Sequence, residues 1–271
     1  MVRSLWTAAS GMIAQQTYVD TIANNLSNVN TTGYKTEVAE FKSLLYQNLQ
    51  TRTTSANGAS KPGSAQVGLG VRNSAVTSMF KQGSLLESNS NSAFAIEGNG
   101  FFAVRGQDGG TCYTRNGNFI WAVDGNNMTL TTTDGQYVLD TNGNKISVSN
   151  TYSTARLTIT ADGRVCYPDA SNNPQPIGMQ IGVFQFQNPS GLEKLDSSLY
   201  AASAASGPAL NEATNANLAK STLVQGYLEG SNVQVADEMV NMIVAQRAYE
   251  MNSKAIQTTD DMMSQANNLR R

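Results

Sequence analysis

The chain has 271 residues, a formal net charge of −2 and a charged fraction of 14 %, against roughly 25 % in ordinary soluble domains. It has no histidine, and its two cysteines, Cys112 and Cys166, have no CxxC partner. The commonest general base and metal ligand are therefore missing, and zinc-type spacing with them. Without a basic run there is no footprint for nucleic acid, and no apolar run nears the ~18 residues of a membrane span.

The first segment carries a 4,3-type repeat: Leu5, Ala8, Met12, Gln15, Val19, Ile22, Leu26, Val29. Seven of these eight positions are apolar, the pattern of a coiled-coil seam. The other faces are nearly uncharged: residues 1–30 hold only Arg3 and Asp20, so the helix lacks the ion pairs that support a solvated one. Its apolar residues are spaced, not continuous, which argues against a signal peptide. The helix then meets "NNLSNVNTTGYK" at 24–35. Asn and Thr side chains compete for backbone hydrogen bonds, and Gly33 permits a left-handed turn, so the helix stops here.

Residues 36–75 change character: "AEFKSLLYQNL" reads as a short helix or strand, and "QTRTTSANGASKPGSAQVGLG" as a Ser/Thr/Gly/Ala-rich connector, either a linker or an extended arm that orders on a neighbour. Residues 76–228 are dense in hairpin signals, with Asp-Gly at 108, 124, 134 and 162 and Asn-Gly at 116 and 142. Short runs such as "FFAVRG", "NFIWAV", "MTLTTT", "QYVLDT" and "IGVFQF" lie between them. This predicts an antiparallel β domain. From about Val233 the chain is helical again, its seam running Val244, Ala248, Met251, Ala255, Thr258, Met262, Gln265, Leu269. Ser231 and Asn232 are candidate caps.

The fold expected is thus α+β: an N- and C-terminal helix pair joined as an antiparallel coiled coil (1–35 with 230–271), an extended connector arm (36–75) and a central antiparallel β domain (76–229). The uncharged outer faces make sense if many pairs pack side by side. "DTNGNK" at 140–145 has a calcium-loop flavour, but the twelfth position is Thr151, so a hairpin turn is the better reading. "GLG" and "GNG" lack the rest of a phosphate loop. No nucleophile–base pair occurs, and the cysteines read as small core residues or as an inter-strand disulfide. Two functions fit these residues: a self-assembling structural subunit, or a secreted β-rich adhesin trimerised by its terminal helices.

"SLWTAASGMIAQQTYVDTIANNLSNVNTTGYK" resembles the N-terminal signature of bacterial flagellar rod and hook proteins. "LEGSNVQVADEMVNMIVAQRAYEMNSKAIQTTDDMM" resembles their C-terminal signature, and "AFAIEGNGFFAV", "YTRNGNF" and "TTTDGQYVLD" their core β region. Size and connector length make the chain most similar to distal-rod members, with proximal-rod or hook-type axial proteins as the alternative. The resemblance implies a non-enzymatic subunit, exported without a cleaved signal, forming a hollow helical polymer in the periplasm. The paired terminal helices would line its export channel, and the polymer would carry torque from motor to hook. Implied partners are further copies of itself, proximal rod proteins, the hook protein, the surrounding periplasmic and outer-membrane ring proteins, and a rod-capping protein during assembly. No catalytic residue, cofactor or metal is implied. The expected interface residues are Leu5, Met12, Val19, Ile22, Leu26 and Val29 on the first helix, with Asn24, Asn25, Asn28, Gly33 and Tyr34 at its exit, where Tyr34 and Lys35 would anchor the departing chain. On the returning helix they are Val244, Arg247, Tyr249, Met251, Met262 and Leu269.

Overall fold

The computed structural model describes residues 2–50, 65–169, 171, 173–196, 198–215 and 217–269. Its two long helices are α1, Val2–Ser27, and α2, Val235–Asn268. The described residues between them form strands, turns, irregular segments and short 3-10 helices. The chain divides into two compact units.

One unit gathers α1, Glu37–Thr77 and α2. Its helices meet in an antiparallel register. Ser4 Oγ lies 3.5 Å from Thr259 Oγ1, a Cβ on Gly11 would lie 2.9 Å from Asn252 Nδ2, and Glu238 is hydrogen-bonded by Asn25. Each step of seven or fourteen residues forward on α1, from 4 to 11 to 25, is matched by an equal step back on α2, from 259 to 252 to 238. Strand Tyr46–Gln50 pairs with Ala65–Gly68, and strand Glu37–Ser43 with Val71–Ser78. In the stretch 36–75, set apart as a connector arm with a short helix or strand at its start, the described parts are paired strands clustered with the helices. The expected conformation of its middle, 51–64, lies outside the described residues.

The other unit comprises Asn28–Thr36 and Ser78–Val233 and is built from antiparallel strands. Its largest sheet has six strands, in the order Glu193–Lys194, Leu199–Ala201, Thr111–Thr114, Phe101–Arg105, Val183–Gln185, Leu210–Asn211. The alternation of strand Phe101–Arg105 sends Phe102 and Val104 into one buried cluster and Phe101 and Ala103 into another, as the period of two requires.

The Asp-Gly signals sit at the turns expected of them. Asp124 pairs with Asn127 across a two-residue loop, and Gly125 supplies φ 62°, which a primed hairpin turn needs. "DTNGNK" is a turn too, with the Asp140 carboxylate accepting from the Asn142 and Asn144 amides. "QYVLDT" differs from expectation: residues 137–140 make only isolated bridges, to Thr131, Val104, Lys145 and Ile181 in turn. Val138 and Leu139 are both buried, one in each cluster, so the segment threads between strands and completes no ladder. Cys112 and Cys166 are buried free thiols, so no inter-strand disulfide joins them.

Candidate functional site

The helix stop is where the β unit grips the chain. Residues 28–30 form a turn closed by the Thr31 amide and hydroxyl on Asn28, 3.1 and 3.0 Å. Gly33 then turns with φ 71°, and its amide donates to the Glu229 carbonyl at 2.8 Å. A Cβ at Gly33 would lie 2.6 Å from the Asn116 nitrogen, so conformation and space both demand glycine.

Lys35, only 1 % exposed, donates to the Glu229 carboxylate and to the Lys81 carbonyl, both at 2.7 Å. Arg115 reaches the other oxygen of Glu229 at 3.2 Å and the Gly98 carbonyl at 2.6 Å, and its guanidinium lies over the Phe101 ring. The Gly83 amide adds a third donor to Glu229, at 2.9 Å. One buried carboxylate thus holds two buried cations. Burial pushes both Lys35 and Arg115 below their ordinary pKa, and Glu229 opposes that push in each case. Tyr34 is buried with the Lys194 ammonium 5.1 Å from its ring centre.

Asn232 was a candidate cap, but the N-cap of α2 is Gln234, with no side-chain cap bond. Asn232 instead accepts from the Thr36 amide and hydroxyl, 2.8 and 2.7 Å, and donates to the Met79 and Lys81 carbonyls. The segments leaving α1 and entering α2 are therefore stitched together inside the β unit. Of this anchor, Gly33, Tyr34 and Lys35 were legible in sequence. Asn232 was singled out only as a cap, and Glu229 and Arg115 were missed, although ionisable residues beside turn motifs in so charge-poor a chain were a usable signal.

In the helix unit, Asn25 is the counterpart. It is buried and binds Glu37 as a strand would, donating to its carbonyl at 2.8 Å and accepting from its amide at 2.9 Å. Asn24 reaches the Glu37 carboxylate at 2.9 Å.

The seam residues divide. Ile22 is 1 % exposed and Ala8 is buried, while Leu5, Met12, Val19 and Leu26 are half-buried, as is Val29 beyond the helix. On α2 the line facing α1 is Glu238, Ala245, Asn252, Thr259, one position on from the expected Val244, Met251, Thr258. The residues meeting there are small (Ser4, Gly11, Ala245, Thr259), which lets the backbones approach closely, whereas the sequence pattern weighted bulk. Val244 (60 % exposed), Met251 (66 %), Met262 and Leu269 all face outward. On α1, Trp6 (71 %) and Ile13 (67 %) do likewise. Arg247 pairs with Glu250 at 2.9 Å on the surface, and Tyr249 is exposed beside a shallow groove lined by Gln16, Val19, Gln246 and Glu250.

Among the described residues no cluster could hold a metal and no helix is long and apolar enough to cross a membrane. Two helices that leave Trp6, Ile13, Val244 and Met251 this exposed present a surface suited to being covered by more protein, the mark of a structural subunit.

Three family models match in chain order: the flagella basal body rod protein over 5–35, the flagellar hook protein FlgE/F/G D1 domain over 95–167, and the flagellar basal body rod FlgEFG protein C-terminal region over 224–269. The flagellar basal-body rod protein FlgG of Borreliella burgdorferi is 45 % identical over the full length of both chains. The proteins of that name from Agrobacterium fabrum (41 %, 97 % of each chain) and Bacillus subtilis (37 %, all of each) are also similar. The chain belongs to the flagellar basal-body rod protein family, as a structural, non-enzymatic subunit of the rod. Its place is the flagellar basal body, where it assembles with other flagellar components.

Proposed function

We propose that this subunit forms the distal segment of the rod, a hollow helical polymer that carries torque from motor to hook through the periplasm. The α1–α2 pair acts as a coiled coil lining the tube, with the β unit outside it. Neighbours are copies of the same chain along the segment, proximal rod proteins below, the hook protein above, ring proteins around, and a capping protein at the growing end. The chain travels unfolded down the channel its predecessors line, which accounts for export without a cleaved signal. A bore lined by uncharged polar groups lets such cargo pass without electrostatic trapping. The observation that carries this reading is the outward bulk of the helix pair: Trp6, Ile13, Val244 and Met251 are all more than half exposed, a burden a monomer has no reason to bear.

An epitope inserted after Gly109, a turn glycine with open space around it, tests the placement. Antibody labelling of isolated basal bodies is expected at the hook-proximal part of the rod. Label confined to its base, or absent from intact rods that contain the tagged chain, would overturn the distal assignment.

A further inference from the structure

Resting on the polymer reading above, we infer that the outward seam of α2 is filled by the outward face of α1 from a second copy. The seam Val244, Ala248, Met251, Ala255 keeps strict 4,3 spacing, and helical periodicity sets it about 100° around α2 from the line that meets its own α1. A 4,3 repeat is complementary to another helix and to little else. The outward face of α1 repeats in the same way at Trp6, Ala9, Ile13 and Gln16.

The two faces match in size as well as spacing. On α2, small residues at 248 and 255 are seven apart; on α1, the bulky Trp6 and Ile13 are seven apart. The same repeat along each helix covers about 10.5 Å. Direction follows from symmetry. Copies related by a screw along the helices keep their sense, so a neighbour's α1 runs antiparallel to α2, as its own α1 does. Antiparallel pairing then seats Trp6 over Ala255, Ala9 under Met251, Ile13 over Ala248 and Gln16 beside Val244. Every large side chain meets a small or flexible one, which is how cores interdigitate. This register differs by about two residues, ~3 Å, from the one inside the chain, so the neighbour sits at nearly the same level.

The contact joins two different faces, so it is heterologous and leaves each copy with one face free. Such contacts continue indefinitely where a two-fold contact would stop at a dimer.

Cysteine pairs in assembled rods test the assignment. Ile13→Cys with Ala248→Cys is expected to give a ladder of disulfide-linked multimers on oxidation. Either cysteine alone should give none, and the intrachain control Ser4→Cys with Thr259→Cys should link within one chain. Dimers from Ala248→Cys alone would mean that α2 meets α2. Intact rods whose control pair links while the test pair stays monomeric would overturn this contact and leave the polymer reading standing; absence of rods containing the wild-type chain would overturn both. Should the cysteine pair fail to assemble, Ile13→Lys and Ala248→Glu serve instead: each alone is expected to block rod formation, and the two together to restore it. Failure of the double variant to restore rods, with far-UV circular dichroism unchanged, would count against the contact.

Discussion

Glu229 is the residue on which the chain's exit and re-entry converge. It binds Lys35, Arg115 and the Gly83 amide through its carboxylate and the Gly33 amide through its carbonyl. Breaking a buried ion pair from one side strands the partner charge, at a cost of about 3–5 kcal/mol. Glu229→Gln is therefore expected to lose stability of that order in denaturant unfolding of the full chain, and a loss below about 1 kcal/mol would contradict the account. The pH dependence has a definite sign. Burial lowers the Lys35 pKa and Glu229 opposes it, so without Glu229 the pKa falls further. The native variant then binds fewer protons than its unfolded chain, and its stability recovers as pH climbs toward the ordinary lysine value of ~10.4. The gap to wild type should narrow between pH 7 and 10. Gly33→Ala meets both a positive φ and a backbone nitrogen at 2.6 Å; its expected cost of at least 1–2 kcal/mol is read from the same unfolding curves. Lys35 was visible in sequence because it follows the helix stop. Its partner lies 194 residues away, and no local pattern reports a contact of that range.

At the scale of elements, α1 and α2 pair through small residues and one buried carboxylate. Burial raises the Glu238 pKa above its ordinary value, Asp237 adds to the rise, and a hydrogen bond from Asn25 partly offsets it. Its contribution to stability is full below the ordinary carboxylate value of ~4.3 and is lost as pH rises through the raised one. Glu238→Gln keeps a partner for Asn25 and removes the ionisation. It should be more stable than wild type at pH 7, with the difference vanishing toward pH 4; equal curves at both pH values would contradict this. Ile22→Asp places a charge at a position 1 % exposed, which costs several kcal/mol. We expect it to abolish rod assembly and lower the helical signal while the thermal transition of the β unit persists; normal rods would show the seam misassigned. The existence of both helices, and the hairpins marked by Asp-Gly, could be read from the sequence because each has a local cause in periodicity or turn chemistry. The choice between faces of α2 could not. Two faces carry heptad spacing, and the bulkier one at Val244 and Met251 drew the assignment, while Ala245 and Thr259 make the contact. Close approach of small residues leaves no hydrophobic signature.

The whole molecule separates two tasks along one chain. In the β unit the buried Lys35–Glu229–Arg115 anchor holds the segments that leave α1 and lead into α2. α1 carries only Arg3 and Asp20, and both helices turn apolar bulk outward, in the form a repeating lattice can use. Membership of the rod family settles the class of assembly, and the helix faces carry the proposal for its geometry. The most direct measurement is cryo-electron microscopy of intact basal bodies at a resolution that traces helices. The account predicts a hollow tube in which this chain's two terminal helices run antiparallel and innermost, each α2 flanked by its own α1 and by that of a neighbour, with the β unit outside. A closed oligomer, or a tube whose inner wall is built from the β unit, would contradict it.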